Sequence, residues 1–268
     1  MAGLGVHKSP SDPYTRVMAR SRSTSKPSKP AKAPKTRSRK ALPGVTFAQR
    51  LRRWLWRSVA VAFLVVAGLV VLGAFVNPPT NVYMYSEGTR LGPVKQTWVP
   101  MAQIAPVMAR SAVAAEDANY CAHWGFDMVA IRKAIEEGSS RGASTISQQT
   151  VKNVYLWQGR SWVRKAMEAM LTPLVEAVWT KRRILEVYLN IAEFDEGVFG
   201  VEAAARHYFG VSAAELNATQ AARLAAILPS PKKRSASQPS SFVRKRARQV
   251  RDGAATIGRD GRADCFQS

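Results

Sequence analysis

GASTISQQTVKN, residues 142–153, opens with small residues and then carries mostly hydroxyl and amide side chains, with Lys152 near its end. Thr145 is followed three residues later by Gln148, the capping-box pattern that marks the start of a helix. A helix beginning at Thr145 would present free N–H groups and the positive end of its dipole, and both favour an anion. The stretch therefore predicts a helix whose start faces an anionic ligand.

One face of that predicted helix is polar. Thr145, Gln149 and Lys152 stand at i, i+4 and i+7, so a hydroxyl, an amide and a cation share one side of the helix. A solvated helix face is one interpretation. A ligand-contacting face is the other, because Ser and Thr form helices less readily than the Lys and Glu residues that usually fill a surface. The pattern alone leaves both open.

A run of 18 residues without a charge, VAVAFLVVAGLVVLGAFV, covers residues 59–76. This length lies at the lower end of the range for a membrane-spanning helix, about 17 to 25 residues, and exceeds the apolar core of a cleavable signal, about 7 to 15. Basic residues and tryptophans flank it on the N-terminal side only: Arg50, Arg52, Arg53, Trp54, Trp56 and Arg57. The positive-inside rule then places the N-terminus in the cytoplasm and everything after Val76 across the membrane.

The charge of the chain is concentrated at its start. Fifteen of the 40 Lys and Arg residues lie in the first 57 residues, which contain a single acid, Asp12. Few large apolar side chains accompany them, so residues 1–57 are predicted to form a disordered basic cytoplasmic tail. The remainder has only a moderate positive excess and no recognition motif, which argues against nucleic-acid binding. The predicted organisation is a tail over 1–57, a transmembrane anchor over 58–76 and one extracytoplasmic domain over 77–268.

The extracytoplasmic part is predicted to be mainly α. Helical periodicity covers residues 101–117, 128–137, 162–180, 183–191, 201–209, 219–228 and 242–252. Short apolar pieces at 82–85 and 97–99 are predicted to be extended, and no long alternating strand pattern follows residue 100.

Cys121 and Cys265 can pair in an oxidising compartment, although their spacing indicates neither a disulfide framework nor a metal site. His123 is predicted to be a structural hydrogen-bonding residue rather than a metal ligand.

Two neighbouring carboxylates, Glu116 and Asp117, end an apolar helical run. Acidic side chains oppose the dipole at a helix C-terminus, so this position calls for an explanation. One interpretation is an exposed acidic turn. The other is a general base, because each carboxylate raises the affinity of its neighbour for a proton.

A third carboxylate, Glu168, lies four residues after Arg164 on an otherwise apolar helix. An i, i+4 ion pair is the simple interpretation, worth a few tenths of a kcal/mol. Yet Arg160, Arg164 and Lys165 gather here and, with Lys152, make four cations. Separated carboxylates with such a cluster suit a site that deprotonates a hydroxyl at one end and stabilises a phosphorylated leaving group at the other.

Four motifs follow one another along the chain. They are Glu116-Asp117-x-x-Tyr120-x-x-His123-x-Gly125; Gly142-x-Ser144-Thr145-Ile146-x-Gln148-Gln149-x-x-Lys152-Asn153; Arg164-Lys165-x-x-Glu168; and Ile184-Leu185-Glu186-x-Tyr188-Leu189-Asn190. Together they resemble the peptidoglycan glycosyltransferases, carbohydrate-active family 51, over roughly residues 99–231. A single anchor with no second domain is similar to the monofunctional biosynthetic members. The chain departs from the family at Tyr120, where Phe is usual, and in its short 130–141 connection, which would shorten a flap over the cleft.

The resemblance implies a lysozyme-like glycosyltransferase domain with a small membrane-proximal lobe. Glu116 would remove the proton of an acceptor sugar 4-hydroxyl, which attacks the lipid-linked donor strand with inversion and releases undecaprenyl pyrophosphate. The cations Lys152, Arg160, Arg164 and Lys165 would hold the pyrophosphate, and Glu168 would position the donor or orient these cations. Ser144, Thr145, Gln148 and Gln149 would line the substrate path. Glu186 and Asn190 are predicted to be scaffold rather than catalysts.

The implied partners are lipid II, the nascent glycan strand, the membrane and other cell-wall synthesis proteins, without nucleic acid. No cofactor is expected to be required, and no carboxylate cluster makes a dedicated metal site, although a divalent cation such as Mg²⁺ at the pyrophosphate stays open. Two alternatives also stay open. One is a lysozyme-like lytic enzyme that cleaves finished glycan with an acidic pair. The other is a noncatalytic membrane scaffold.

Overall fold

The first helix, α1, spans Phe47–Phe75 in the computed structural model, which describes residues 46–138 and 144–267. Among the described residues it is the one helix long and apolar enough to cross a membrane, and most of its side chains are exposed. A helix that could span a membrane is therefore present at the predicted position. The predicted disordered tail is too long by eleven residues, because 47–57 are helical and extending an existing helix costs far less than starting one. Residues 1–45 of that tail lie outside the described residues.

All packing discussed below lies within one compact unit, Leu51–Ser268. Ten further helices follow α1 in the described part of the chain: α2 Val82–Leu91, α3 Pro106–Glu116, α4 Met128–Glu136, α5 Ile146–Tyr155, α6 Trp162–Val178, α7 Lys181–Ile191, α8 Val201–Phe209, α9 Ala218–Ile227, α10 Ser241–Arg259 and α11 Asp264–Gln267. The mainly α prediction is confirmed, and the predicted bounds of α4, α6, α7, α8 and α9 lie within two residues of the observed ones.

Two local predictions are wrong. Residues 82–85 are not extended but begin α2, because the Asn81 side chain accepts a hydrogen bond from Met84 N at 2.8 Å and caps that helix. Residues 101–117 are not one helix. A 3₁₀ turn at Met101–Gln103 precedes α3, which starts at Pro106, where a residue without an N–H and with a fixed φ is tolerated.

A small sheet completes the fold. Its strands are β1 Lys95–Gln96, β2 Glu193–Asp195 and β3 Val198–Phe199, in the order β1-β3-β2. β1 pairs with β3 in parallel, Lys95 opposite Val198, and β2 pairs with β3 antiparallel through a register shift. Strands of two or three residues carry no readable alternation, which is why the sequence did not predict them.

The core is built from two helix groups. α3, α9 and α10 pack together, and α5 packs on α6 and α7. α7 buries Ile184, Leu185, Tyr188 and Leu189, which confirms their predicted core role. Asn190 joins this core to the chain after β1, since its amide donates to Val99 O and accepts from Val99 N, both at 2.9 Å.

The remaining members of the fourth motif are scaffold, as predicted. Glu186 accepts a hydrogen bond from Met101 N at 2.8 Å and pairs with Arg183 at 2.5 Å.

Cys121 and Cys265 form a disulfide that joins the turn after α3 to α11. The sequence allowed this pair without indicating it.

Candidate active site

Glu116 is the last residue of α3, and its carboxylate is partly buried against α5. Gln149 Nε2 donates to Glu116 Oε2 at 2.8 Å. Burial raises the pKa of Glu116, and this effect exceeds the opposing effect of the Gln149 hydrogen bond. The charge of the neighbouring Asp117 also raises the pKa of Glu116, but by less than burial does. A carboxylate with a raised pKa suits a general base.

Asp117 has a different role from its neighbour. Its Oδ2 accepts a hydrogen bond from Ile146 N, the first N–H of α5, at 3.0 Å, and its Oδ1 lies 2.7 Å from His123 Nε2. The carboxylate that satisfies the α5 N-terminus therefore comes from the protein itself. The prediction that this helix start faces an anionic ligand is wrong, because Asp117 already occupies the position. The predicted structural role of His123 is confirmed.

Thr145 and Gln148 form the predicted capping box, and both are buried, with 2% and 4% of their surface exposed. Thr145 Oγ1 also donates to Gly125 O at 2.7 Å. Gly125 has φ +82°, and a Cβ there would lie 2.6 Å from Thr172, so this close approach depends on glycine. These contacts bury both side chains and fix the start of α5. The predicted place of Thr145 and Gln148 along the substrate path stays a prediction.

The other predicted residues of α5 do face the site. Gln149 contacts Glu116, as described above, and Lys152 lies one turn further along the same face. Burial lowers the pKa of Lys152, while the charge of Glu168 opposes that effect and those of Arg164 and Lys165 add to it. The charge of Glu116 also raises the pKa of Lys152. Lys152 is therefore a partly desolvated cation under the influence of both predicted carboxylates.

Glu168 on α6 is buried, with 3% of its side chain exposed. Its carboxylate accepts a hydrogen bond from Arg164 Nη1 at 2.7 Å and pairs with Lys165 Nζ, which also donates to Ser144 Oγ at 3.3 Å. The ion pair predicted from the sequence is thus present, but it is one part of a triad in which Glu168 is buried and Lys165 is partly exposed. Such a carboxylate holds two cations in fixed positions.

A cavity of about 340 Å³ lies at the start of α6, and its lining residues are Arg160, Ser161, Trp162, Arg164 and Lys165. Three of the four predicted cations therefore meet at one cavity. Trp162 is 90% exposed at its edge, and the α6 side chains Val163 and Met170 are exposed as well. The cavity thus combines positive charge with an apolar rim.

Two functional contacts were not predicted. Arg246 on α10 donates to Ala115 O at 2.9 Å, and its charge lowers the pKa of Glu116 against the larger effect of burial. Beneath α5, Glu176 accepts hydrogen bonds from Ser147 Oγ at 2.5 Å and Lys181 Nζ at 2.8 Å. The Arg246–Ala115 and Ser147–Glu176 contacts have no local sequence signal, because they join positions 131 and 29 residues apart.

Tyr120, the departure from the family pattern, is fully buried, and its hydroxyl donates to Lys181 O at 2.8 Å. Lys181 Nζ lies 4.4 Å from the centre of the Tyr120 ring. The extra hydroxyl therefore has a partner, and the change from Phe is accommodated within the core.

The fold and this site define a class of enzyme. Lys152 is influenced by Glu116, a carboxylate with a raised pKa, and by Glu168 and the two cations that pair with it, which also line the cavity. This arrangement suits transfer of a group from an anionic leaving group to a hydroxyl. Among the described residues no group of three or more His, Cys, Asp or Glu side chains is placed to hold a metal ion.

Comparison with known proteins identifies the family. Residues 85–255 match the family model described as "Transglycosylase". The chain is 61% identical over 219 residues to the biosynthetic peptidoglycan transglycosylase of Jannaschia sp. (strain CCS1), covering 82% of this chain and 92% of that protein. It is 47% identical over 226 residues to the protein of the same name from Caulobacter vibrioides, covering 82% and 98%. The chain belongs to the biosynthetic peptidoglycan transglycosylases, a family of glycosyltransferases, which confirms the resemblance seen in the motifs.

Proposed function

We propose that this enzyme polymerises glycan strands by transferring the lipid-linked growing chain onto the sugar 4-hydroxyl of lipid II. The attack inverts the anomeric carbon, breaks its bond to the pyrophosphate and releases undecaprenyl pyrophosphate. The observation that carries this proposal is the separation of Glu116, with its raised pKa, from the cationic cavity at the start of α6. A carboxylate beside the acceptor hydroxyl and a cation cluster beside the pyrophosphate fit a reaction in which the acceptor loses a proton and the donor loses an anion.

Glu116 is the proposed base. It accepts the proton of the acceptor hydroxyl while the hydroxyl oxygen forms the new glycosidic bond. The Gln149 amide holds the carboxylate in place through its 2.8 Å hydrogen bond. Because the carboxylate is desolvated, it has a higher proton affinity than an exposed Glu, which improves it as a base at neutral pH.

Arg160, Arg164 and Lys165 are proposed to bind the pyrophosphate, with Lys152 between them and the base. Guanidinium groups match phosphate oxygens in bidentate geometry, and a desolvated cation interacts with a developing charge more strongly than a hydrated one. Glu168 is proposed to act by orienting Arg164 and Lys165, which it contacts directly. The exposed apolar side chains of α6 beside the cavity suit a substrate that carries a lipid.

We propose that no cofactor is required, because the protein supplies four cations for the leaving group. A divalent cation such as Mg²⁺ could still bridge the pyrophosphate oxygens. Polymerisation measured with and without a chelator separates the two possibilities, and a large loss on chelation would contradict the cofactor-free proposal.

The proposed location is the cytoplasmic (inner) membrane, crossed once, with the N-terminus in the cytoplasm and the catalytic domain in the periplasm. The flanking arginines of α1 support this orientation by the positive-inside rule. The Cys121–Cys265 disulfide supports it independently, because disulfides persist in oxidising compartments. The proposed partners are lipid II, the nascent glycan strand, the membrane and other cell-wall synthesis proteins, and not nucleic acid.

Polymerisation of lipid II by the purified full-length protein tests the proposal. Glu116→Gln keeps the shape of the side chain but removes the base, so we expect no polymer, while the matched control Glu136→Gln on the exposed face of α4 keeps the wild-type rate. Full activity of Glu116→Gln would contradict the base assignment. Incubation with purified sacculi tests the lytic alternative, which predicts release of soluble muropeptides.

A further inference from the structure

The C-terminal part of α1 packs against the catalytic domain. Val70 is completely buried, and its carbonyl accepts a hydrogen bond from Trp179 Nε1 at 2.7 Å. Tyr155 Oη lies 3.4 Å from Leu69 O. A helix that served only as a flexible tether would not need these contacts.

Gly73 makes this close packing possible. A Cβ at this position would lie 2.6 Å from Trp179 Cζ2 and 2.8 Å from Tyr155 Oη, distances that would force the helices apart. Gly68, five residues earlier on the same helix, has nothing within 4 Å of its corresponding position. The two glycines of α1 therefore differ in what they do, and only Gly73 is required for contact with the domain.

Arg183 on α7 completes the contact. Its Nη2 donates to Gly73 O at 3.1 Å and to Val76 O at 3.0 Å, and its Nη1 donates to Asn77 Oδ1 at 2.8 Å. These bonds satisfy carbonyl groups at the end of α1 that have no partner within the helix. A cation at a helix C-terminus also interacts favourably with the dipole.

The residues that contact α1 stand at the ends of the helices that carry the site. Tyr155 is the last residue of α5, one turn after Lys152. Trp179 is the C-cap of α6, the helix that carries Glu168 and the cations that pair with it. A shift of α1 would therefore act on the helix that carries Lys152 and on the helix that carries Glu168.

We propose that α1 is a rigid support that holds the catalytic site at a fixed depth relative to the membrane, and that Gly73 is the positioning residue of this support. The charge-free run 59–76 is about 27 Å long at 1.5 Å per residue, close to the hydrocarbon thickness of about 30 Å. Its last turns are those bound to Arg183 and Trp179, so the starts and ends of α5 to α7 that meet there lie at the membrane surface. A substrate whose pyrophosphate is held at that surface by its lipid then meets a catalytic domain held at one depth.

A distance measurement between two spin labels tests the docking itself, independently of activity. The labels are placed at Leu72→Cys on α1 and Met170→Cys on α6, both exposed, in the full-length protein reconstituted in liposomes. We expect a narrow distance distribution in the otherwise unaltered protein and in Gly68→Leu, and a broad one in Gly73→Leu. Equally narrow distributions in all three would overturn the proposal, because the side chain at 73 would then not displace α1.

Polymerisation of lipid II tests the consequence and rests on the proposed function. In proteoliposomes we expect Gly73→Leu to lose at least about tenfold in rate, because small misplacements of a bound substrate are costly. In detergent micelles we expect the same variant to stay within about twofold of wild type. Gly68→Leu should match wild type in both media. Equal losses of Gly73→Leu in both media would overturn a positioning role, since the defect would then be one of fold. If the wild-type protein makes no polymer, the proposed function fails, and the spin-label distances alone decide the docking.

Discussion

At the scale of single residues, Glu116 and Lys152 are two groups of the candidate site whose ionisation burial disfavours. Burial raises the pKa of Glu116 because it disfavours the negative carboxylate, and it lowers the pKa of Lys152 because it disfavours the positive ammonium. Keeping Glu116 negative and Lys152 positive in the folded protein therefore costs free energy. A transferase needs both charges, the first to accept a proton and the second to bind an anionic leaving group. Such a cost, carried at one site, is typical of catalytic groups.

Lys152→Ala is predicted to lose activity far more than stability. The charged lysine is disfavoured by burial, so its removal should leave the melting temperature within a few degrees of wild type, whereas loss of a preorganised cation should lower the polymerisation rate by about 100-fold or more. Lipid II polymerisation and thermal unfolding measure the two effects. The control is Lys133→Ala, whose side chain is exposed on α4. A large drop in melting temperature with retained activity would contradict the prediction.

The acidic limb of the pH–rate profile is predicted to report Glu116. The base must be ionised, so activity falls as the pH falls through its raised pKa, which lies above the ordinary value of about 4.3. The Gln149 hydrogen bond lowers that pKa, so Gln149→Ala should move the limb to still higher pH. The measurement is kcat/KM against pH for both proteins, with the exposed Gln158→Ala as the control. A limb that moves to lower pH, or not at all, would show that Gln149 does not tune this base.

At the scale of elements, α5 shows what the sequence could and could not predict. Its start, its capping box and the shared face of Gln149 and Lys152 follow from spacing within one helix, and all were predicted. The direction in which the helix start points depends on Asp117, which lies 29 residues earlier. Spacing within an element carries no information about such a partner, and the anion site predicted there was therefore wrong.

Asp117→Ala is predicted to destabilise the fold through α5. The change leaves Ile146 N buried without its acceptor and removes the partner of His123, so the free energy of unfolding should fall by about 1–3 kcal/mol. Denaturant unfolding measures this effect. Asp252→Ala, at an exposed position of α10, should change the stability by less than about 0.5 kcal/mol. Equal stability of the two variants would show that the α5 start does not depend on Asp117.

At the scale of the whole molecule, the sequence predicted the anchor, the mainly α domain and most helix positions, because these depend on composition and local periodicity. The three-stranded sheet and the Arg246 contact were not predicted, since each joins segments distant in the chain. The cationic cavity is an intermediate case. Its cations, Arg160, Arg164 and Lys165, lie within six positions, so their clustering was visible, but the burial of Glu168 between two of them was not.

The Cys121–Cys265 disulfide links positions 144 residues apart and joins the turn after α3 to α11 at the end of the described chain. Closing a loop of this length restricts the unfolded chain, which in the chain-entropy model stabilises the fold by about 4 to 5 kcal/mol. We therefore predict that the double variant Cys121→Ser/Cys265→Ser melts well below the wild type, and that a reductant lowers the melting temperature of the wild type alone.

Activity separates this structural role from a catalytic one. The disulfide joins the 3₁₀ turn Tyr120–Ala122 to α11, and neither segment carries a proposed catalytic or binding residue. Removal of the disulfide should therefore leave the rate of lipid II polymerisation nearly unchanged at temperatures below the new melting point. Loss of activity in the folded double variant would instead show that α11 must be tied to this turn for Glu116 to keep its position. Thermal unfolding and polymerisation, each measured with and without reductant on both proteins, distinguish these outcomes.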